Sequence, residues 1–468
     1  MEVSGRYDGT SRFKRGHRWG FFPSFSLGWR ISEEPFFEGI REKFNNFKIR
    51  YSYGQLGNQN VGYYDYIRKI SIGNQNYLFG GDKPTTATIS APVASNLSWE
   101  TSIHNNLGVD MSFLNNRLAF SADFYIRDTK DMLTSGVALP SVYGADSPKM
   151  NSADLRTKGY ELSLSWRDEF QLLRRPFTYS VTVTFNDYVT DITKYDNPDR
   201  TFAKSYYEGM RWGEIWGYRI GGLFATDAEA AGYAVDQTAV NNRINAAAGS
   251  ERGLHAGDLK FLDLDGDNVI SIGKNTVDDP GDRKIIGNSE PRYLYTISLN
   301  ADWNGFFLSA LFDGVGRQQW FPSDESLFWG MYNRPYNQVP TWHLQNYWTE
   351  ERPNAYLPRY VGYYGPMNAN TVNVNTRYLQ DVSYIRLKNL QFGYELPKRW
   401  ISKIGLSKVS VYFSGENLWS WSPLYRHTKD FDVTVASKKS DSDISNSKGD
   451  GHNYPVMRSF SFGISITY

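Results

Sequence analysis

The sequence predicts an all-β protein, a transmembrane antiparallel β-barrel. Three observations predict this fold. Segments that alternate apolar and polar residues recur along the chain, no apolar run approaches the length of a membrane-spanning helix, and the connections between the segments are alternately short and long.

Composition fits an envelope protein and excludes several functions. The 468 residues carry a net charge of +1, which gives no overall attraction for nucleic acid or an anionic surface. Aromatic residues make up 16% of the chain, a high share for a soluble enzyme. Cysteine is absent, which excludes disulfides, thiolate metal sites and a cysteine nucleophile within this chain.

Period-two alternation identifies the strands. In "FTYSVTVTF", Phe177, Tyr179 and Val181 share one face, and Thr178 and Ser180 share the other. A soluble sandwich alternates in the same way, but strands of about ten residues with aromatics near their ends are typical of a bilayer crossing. The predicted strands lie near 2–8, 19–32, 46–56, 98–113, 117–128, 155–167, 176–190, 291–304, 306–319, 382–396, 407–418 and 456–468.

Connection lengths separate the barrel from the sandwich. One set of alternate links is short or modest: 33–45, 115–116, 168–175, 304–305 and 397–406. The other set is long, apart from 9–18: 57–97, 129–154, 191–290, 320–381 and 419–455. Short periplasmic turns opposite long extracellular loops describe an outer-membrane barrel, and a sandwich has no reason to keep this order.

The two ends of the chain carry further expectations. The first strand is short, and an unpaired strand edge is not tolerated in lipid, so we expect an N-terminal barrel half that is missing or that another chain supplies. The opening residues lack the apolar core of a signal peptide. The last strand places one apolar face toward lipid and resembles the signal read by the outer-membrane assembly machinery; its residues are Phe460, Phe462, Ile464, Ile466 and Tyr468.

Several stretches carry a family resemblance, in order along nearly the whole chain. They are "RYDGTSRF", "GFFPSFSLGWRISEEPFF", "KIRYSYGQLGNQNVGYYDY", "RTKGYELSLSW", "GDLKFLDLDGDNVI", "DRKIIGNSEPRYLYTISLNADWNGFFLSALFDGVG", "YIRLKNLQFGYELPKRW" and "SVYFSGENLW". Together they resemble the SusC/RagA family of TonB-dependent outer-membrane transporters. The resemblance implies a barrel of about 22 strands, of which this chain is the C-terminal part, without the plug domain.

The resemblance also implies a function and partners. It implies a multi-pass protein of the bacterial outer membrane, in a Gram-negative, Bacteroidetes-like cell, that imports a glycan or a peptide. The cargo would bind between the barrel and a SusD-like lipoprotein lid, and TonB–ExbB–ExbD would act through the missing N-terminal plug region. Residues 191–290 and 320–381 would be large extracellular loops. Lipid bilayer and assembly machinery are the remaining expected partners, and no nucleic acid is expected.

Aromatic residues in two long connections are candidates for substrate binding. Sugar rings stack on aromatic faces, while neighbouring polar side chains satisfy hydroxyls. The candidates are Trp329, Tyr332, Trp342 and Trp348 in 323–365, and Tyr63, Tyr64 and Tyr66 in 57–97. The alternative, which we weight more heavily, is that these rings pack a long loop against itself or against the lid protein.

An aspartate-rich stretch, "DLDGDNVIS", is a candidate Ca²⁺ site that would order an outer loop. Its side chains and carbonyls occupy positions one, three, five, seven and nine of a calcium loop: Asp263, Asp265, Asp267, Val269 and Ser271. Asn268 replaces the usual glycine and Lys274 the usual bidentate acid, whose place Asp278, Asp279 or Asp282 would have to take. The alternative is a turn that caps its own backbone N–H groups.

Other expectations concern a strand irregularity and other functions. The apolar phase of "YIRLKNLQFGYEL" slips near Lys388-Asn389, which predicts a β-bulge.

The sequence lacks the motifs of common enzymes. The six histidines show no metal-binding spacing and no nucleophile elbow or phosphate loop is present, so an outer-membrane barrel enzyme is the weakest alternative. The other alternative is a soluble or surface Ca²⁺-dependent glycan-binding β protein without transport.

Overall fold

A computed structural model describes the chain apart from residues 42, 75, 95, 137–139, 145–146, 241–252, 323–325, 330–338, 361–372 and 435–453. The chain divides into two compact units. Unit 1 holds Met1–Leu162 and Tyr188–Trp212, and unit 2 holds Ser163–Asp187 and Gly213–Tyr468. No described helix is long and apolar enough to cross a membrane.

Strands dominate the described residues, and helices are confined to single turns. The strands to residue 194 are β1 (Glu2–Gly9), β2 (Trp19–Arg30), β3 (Phe44–Asn58), β4 (Ile70–Asn74), β5 (Thr85–Ile89), β6 (Glu100–Phe113), β7 (Leu118–Ser135), β8 (Lys149–Leu172) and β9 (Arg175–Lys194). The later strands are β10 (Glu214–Tyr218), β11 (Ile220–Leu223), β12 (Leu259–Phe261), β13 (Arg283–Asn288), β14 (Arg292–Trp303), β15 (Phe306–Arg317), β16 (Gln319–Trp320), β17 (Gln380–Asp381), β18 (Tyr384–Glu395), β19 (Lys408–Trp421) and β20 (Ser459–Thr467). The α-helical turns are α1 (Asp227–Ala231) and α2 (Lys398–Ile401), and 3₁₀ turns cover Ile31–Glu33, Pro35–Ile40, Ser141–Tyr143, Thr238–Val240, Leu327–Trp329, Thr341–Gln345, Ser402–Ile404 and Pro423–Arg426.

The twelve predicted strands are confirmed and join in one 12-stranded sheet. Its order follows the chain: β1-β2-β3-β6-β7-β8-β9-β14-β15-β18-β19-β20. Neighbouring strands pair antiparallel, as Val109 with Ala122 in unit 1 and Ala310 with Leu390 in unit 2. β1 and β20 stand at the two ends of this order.

Large apolar side chains on alternate strand positions are exposed. Trp19 and Phe21 are 62% and 61% exposed on β2, and Phe462 and Ile464 are 85% and 69% exposed on β20. The residues between them, Gly20 and Gly463, belong to the other face of the sheet. An apolar face turned outward along the strands is what a lipid-facing surface requires.

Tight turns confirm the short set of connections. Asn304 and Gly305 both have positive φ, 48° and 91°, between Trp303 and Phe306, as the predicted two-residue hairpin requires. The link expected at 168–175 is shorter than predicted, because β8 and β9 extend to a turn at Leu173-Arg174. Long connections alternate with these turns, so the predicted order of short and long links is confirmed.

Glycines on the less apolar face make room for aromatic rings from the paired strand. A Cβ at Gly463 would lie 2.4 Å from Cζ of Tyr412, its partner on β19. A Cβ at Gly393 would lie 2.3 Å from Cζ of Phe307, its partner on β15. Each ring packs over the backbone of the glycine, and this contact fixes the register of the two strands.

The predicted β-bulge in β18 is confirmed. Leu311 pairs with Asn389 and Phe312 with Leu387, so β15 skips Lys388. β19 skips the same residue. One extra residue in β18 therefore shifts the apolar phase, as the sequence indicated.

Candidate functional site

The long connections of unit 2 share one hydrophobic core, which we call the loop core. Trp320, Trp329 and Tyr378 are at most 1% exposed within it. Their rings pack edge-on or tilted, as Trp329 does on Tyr378 at a centroid distance of 5.3 Å. The other buried members are Tyr218, Val240, Leu259, Phe261, Ile270, Phe321, Phe328, Leu357, Val382, Leu424, Phe431 and Val433. Residues from three connections thus hold one another in place.

A buried ion pair joins two of these connections. The Asp258 carboxylate accepts hydrogen bonds from Nε and Nη2 of Arg359 at 2.8 and 3.1 Å, and Asp258 is fully buried. The backbone N–H of Arg359 donates to the Gly257 carbonyl at 3.1 Å. Bidentate geometry is the arrangement that compensates best for the loss of water around two charges.

His343 is a buried neutral base in the loop core. Its Nε2 lies 2.8 Å from the Phe328 carbonyl oxygen and must donate there, so Nδ1 accepts from the Tyr360 hydroxyl at 2.9 Å. Burial lowers the pKa of His343 to about 4. The imidazole is therefore uncharged at neutral pH and serves as a hydrogen-bonding link between segments.

The tryptophans predicted to bind substrate lie in or beside the loop core. Trp329 is 1% exposed, which leaves neither ring face open to a sugar in this structure. Trp342 packs on Phe328 at 5.2 Å, and the half-buried Trp348 lies over Gly257, where a Cβ would come within 2.6 Å of the indole. Tyr332 lies outside the described residues. For the tryptophans, this geometry favours the packing interpretation that the sequence left open.

The predicted tyrosines of the β3–β6 connection are more accessible. Tyr63 is 70% exposed and Tyr64 60% exposed, while Tyr66 is half-buried. The Arg12 guanidinium lies 4.5 Å from the centroid of the Tyr63 ring, and its Nη1 donates to the Val61 carbonyl at 2.8 Å. A small core of Phe13, Val61 and Leu97 fixes the base of this connection. Exposed rings beside a cation can contact a polar ligand.

The aspartates of the candidate Ca²⁺ site converge. Asp263, Asp265 and Asp267 each bring a carboxylate oxygen within 4.8 Å of the others, and they are the one such group among the described residues. Backbone N–H groups of the same turn also donate to them: Gly266 and Asn268 to Asp263, and Val269 to Asp267. These bonds lower the pKa of Asp263. The turn is thus capped by its own carboxylates, and Ca²⁺ binding stays a prediction.

The remaining predicted ligand positions are used in holding the loop. Ser271 Oγ accepts from the Gly273 N–H at 3.1 Å, and Val269 pairs with Asp236 in a parallel bridge. Asp282, one candidate for the bidentate acid, is fully buried and accepts from the N–H groups of Leu264 and Ser271 at 2.7 and 2.8 Å. Its two oxygens therefore connect the two ends of the aspartate turn.

Sequence reasoning missed a cluster of charged residues on the polar face of unit 1. Arg50 donates to Asp110 at 2.9 Å and to both oxygens of Asp123 at 2.7 Å. Gly108 lies between Arg50 and Asp123 in the cross-strand row, and a Cβ there would be 2.5 Å from the guanidinium carbon. Strand alternation places these charges on one face, but the pairing needs the register of three strands.

The residues expected to form the assembly signal line one side of β20. Phe460, Ile466 and Tyr468 are 61%, 60% and 98% exposed. Phe462 and Ile464 are also exposed, as described for β20 above. The first four of these five residues alternate along β20, and Tyr468 follows it directly. Recognition by assembly machinery stays a prediction.

Comparisons with known proteins agree with this architecture. The family model described as "TonB dependent receptor-like, beta-barrel" matches residues 1–249. TonB-dependent receptor P3 of Formosa agariphila is 28% identical over 99% of this chain and 43% of its own length. TonB-dependent receptor SusC of Bacteroides thetaiotaomicron is 34% identical over 42% of this chain and 19% of its own length.

Solved structures share the fold. The RagAB peptide transporter superposes with a TM-score of 0.73 at 21% identity, covering 100% of this chain and 45% of that chain. The chain spans less than half the length of the curated relatives that it matches along most of its sequence, 40–44% of each. The relatives and the solved structure are named as receptors and transporters.

Proposed function

This chain belongs to the TonB-dependent receptor family as an outer-membrane β-barrel segment similar to SusC and RagA, and from this premise we propose that it forms the barrel portion of an importer of large nutrients. The observation that carries the proposal is the collinear similarity to TonB-dependent receptors over 99% of the chain. The importer works with a SusD-like surface lipoprotein and draws energy through TonB–ExbB–ExbD.

The long connections supply the outer surface of this importer. The loop core gives the connections of unit 2 a rigid interior, which a binding surface needs if it is not to lose affinity through loop ordering. Its buried rings hold the loops, and exposed rings contact cargo. The polar face of the sheet, with the Arg50, Asp110 and Asp123 cluster, suits passage of hydrated molecules.

Glycan is the cargo class that we favour, with peptide as the alternative. Tyr63 and Tyr64 expose ring surface, and the Arg12 guanidinium lies next to the Tyr63 ring, a combination that accommodates the C–H face and the hydroxyls of a sugar. The peptide alternative comes from RagAB, whose structure is named as a peptide transporter. Both cargo classes are large enough to need a wide lumen.

Binding to the full-length receptor, with its lipoprotein partner, tests the proposal. Isothermal titration with oligosaccharides and with peptides of similar mass should give heats for one class. We expect Tyr63→Ala/Tyr64→Ala to weaken glycan binding about tenfold, equivalent to about 1.4 kcal/mol, and Tyr143→Ala to leave it unchanged. Tyr143 is a matched control because it is 48% exposed in another long connection.

The outcomes separate the two levels of the proposal. Binding of peptides alone, unaffected by the tyrosine variants, would reject the glycan assignment and keep the importer. Failure of the full-length protein to take up any cargo in cells, with or without TonB, would reject the importer itself.

A further inference from the structure

The short connection between β18 and β19 has a one-sided charge. Within Leu396–Ser407 lie three cationic residues, Lys398, Arg399 and Lys403, and no acidic residue; Glu395 and Lys408 flank the connection as the last residue of β18 and the first of β19. The chain as a whole has a net charge of only +1, so this local excess is not a reflection of the composition. We call this connection the basic turn.

The three cations of the basic turn have no acidic partner among the described residues. The flanking Lys408 pairs with Glu395 at 2.9 Å. Lys398, Arg399 and Lys403 are exposed, and in the described part of the chain no carboxylate lies within ion-pairing distance of them. Arg399 lies over the Trp400 ring, 5.8 Å from its centroid. Three positive charges therefore face the surroundings of the protein.

Apolar side chains project from the same turn. Ile401 is buried and anchors α2, whereas Trp400 is 55% exposed and Ile404 70% exposed. Exposed tryptophan beside lysine and arginine is the combination found where a protein meets the headgroup region of a bilayer. Exposure of these apolar side chains to water costs free energy, which contact with lipid would recover.

The basic turn continues the lipid-facing surface of the sheet. It begins next to Tyr394, which packs on Phe306 at 4.6 Å at the same end of the strands. It leads into Val411, which pairs with Ile464 on β20, and both are exposed. Short turns of outer-membrane barrels lie on the periplasmic side, where the leaflet consists of phospholipid.

We propose that the basic turn is a binding site for anionic phospholipid headgroups of the periplasmic leaflet. Lys398, Arg399 and Lys403 attract the phosphate groups, and Trp400 and Ile404 enter the interface below them. The connection between β2 and β3 also exposes an apolar side chain but differs in charge. Phe36 is 71% exposed there, Glu33, Glu34 and Glu38 lie close to it in the sequence, and Glu33 pairs with Arg41. These two connections share apolar exposure, and the basic turn differs from the other by its excess of unpaired cations, which is the feature that would select anionic lipid.

Lipid-specific quenching in the full-length protein tests the site. A bimane label is placed at exposed Ser402 through Ser402→Cys. This chain contains no native cysteine, and any cysteine elsewhere in the full-length protein is first replaced by serine. The labelled protein is reconstituted into bilayers of phosphatidylcholine and phosphatidylglycerol in equal parts, in which either lipid carries the nitroxide quencher. We expect phosphatidylglycerol to quench several-fold more strongly, because each basic residue near an anionic surface contributes roughly a fivefold preference.

Charge variants locate the effect. Lys398→Gln/Arg399→Gln/Lys403→Gln should bring the quenching by the two lipids to equality. Arg68→Gln/Lys69→Gln/Lys83→Gln removes the same charge from exposed positions between β3 and β6 and should leave the preference intact. Raising the salt concentration on the unsubstituted, labelled protein should also reduce the preference, without any risk to folding.

Three results would overturn the proposal. Equal quenching by both lipids in the unsubstituted protein would remove the selectivity. An equal loss in the two triple variants would assign the effect to net charge. Absence of quenching by either lipid would place the turn against protein. None of these results bears on cargo import, so the two proposals fail independently.

Discussion

At the scale of single residues, His343 gives the loop core a dependence on pH. Its pKa is about 4 in the folded protein against an ordinary value of 6.5, because burial disfavours the imidazolium. Between these values the unfolded chain binds the proton and the folded one does not, so stability falls as the pH falls through this range. Well above pH 6.5 the imidazole is neutral in both states and this contribution is constant.

We therefore expect the loop core to lose about 3 kcal/mol of stability through His343 between pH 7 and pH 4. His343→Gln keeps a donor toward the Phe328 carbonyl and removes the titration. Hydrogen exchange of the segments around Trp329 and Tyr378, followed from pH 7 to 4.5 with rates corrected for intrinsic exchange, measures the effect. The variant should show a flatter pH dependence than the unsubstituted protein.

A matched control is His17→Gln, because His17 lies in the connection between β1 and β2, outside the loop core. It should leave the pH dependence of these segments unchanged. If His343→Gln retains the full dependence, another group governs it and the assignment to His343 is wrong.

At the scale of elements, the pairing of β19 with β20 depends on a ring fitted over a glycine. Gly463→Ala places a methyl group within 2.4 Å of the Tyr412 ring, and the nearest contacts are all atoms of that side chain. We expect a loss of about 1–3 kcal/mol from overpacking, measured by urea unfolding of the full-length protein in detergent.

A double-mutant cycle isolates this contact. Tyr412→Ala removes the obstructing ring, so Gly463→Ala should cost much less in the Tyr412→Ala background than alone. The same substitution at Gly393 gives a different expectation, because its Cβ would also meet the Val411 carbonyl oxygen at 2.6 Å. Additive effects of Tyr412→Ala and Gly463→Ala would show that the ring is not what limits position 463.

The strands and turns of the sheet could be predicted from the sequence because each is specified by residues that are neighbours in the chain. Alternation marks each strand, and Asn304-Gly305 specifies its hairpin through positive φ. Even the bulge at Lys388 leaves a visible slip of apolar phase. The short strand pairs within the loops, such as β4 with β5, were missed because they are brief and lack strong alternation.

The loop core could not be predicted because its contacts join distant parts of the chain. Asp258 and Arg359 stand 101 residues apart, and nothing near either one indicates the partner. Composition shows that 323–365 is rich in aromatic residues but not which of them face inward. Trp329 and Tyr63 therefore look equally suited to a ligand in the sequence, while the structure buries the first and exposes the second.

At the scale of the whole molecule, alternation of connection lengths assigns the two sides of the membrane. Short turns such as Leu173-Arg174 and Asn304-Gly305 alternate with connections of up to about a hundred residues, and this order persists along the sheet from β3 onward, the β1–β2 link being the exception. In this family the short turns face the periplasm and the long connections face the exterior. The sequence alone could predict this order, because it depends only on where strands begin and end.

Cysteine labelling on intact cells tests this assignment, since this chain has no native cysteine and any cysteine elsewhere in the full-length protein can be replaced by serine. Lys83→Cys and Glu208→Cys place a thiol at exposed sites in long connections, and Glu38→Cys and Lys403→Cys place one at exposed sites in short turns. A membrane-impermeant maleimide should label the first pair on intact cells and the second pair only after the outer membrane is permeabilised. Labelling of Glu38→Cys or Lys403→Cys on intact cells would reverse the orientation and would also remove the periplasmic leaflet as the surface that the basic turn contacts.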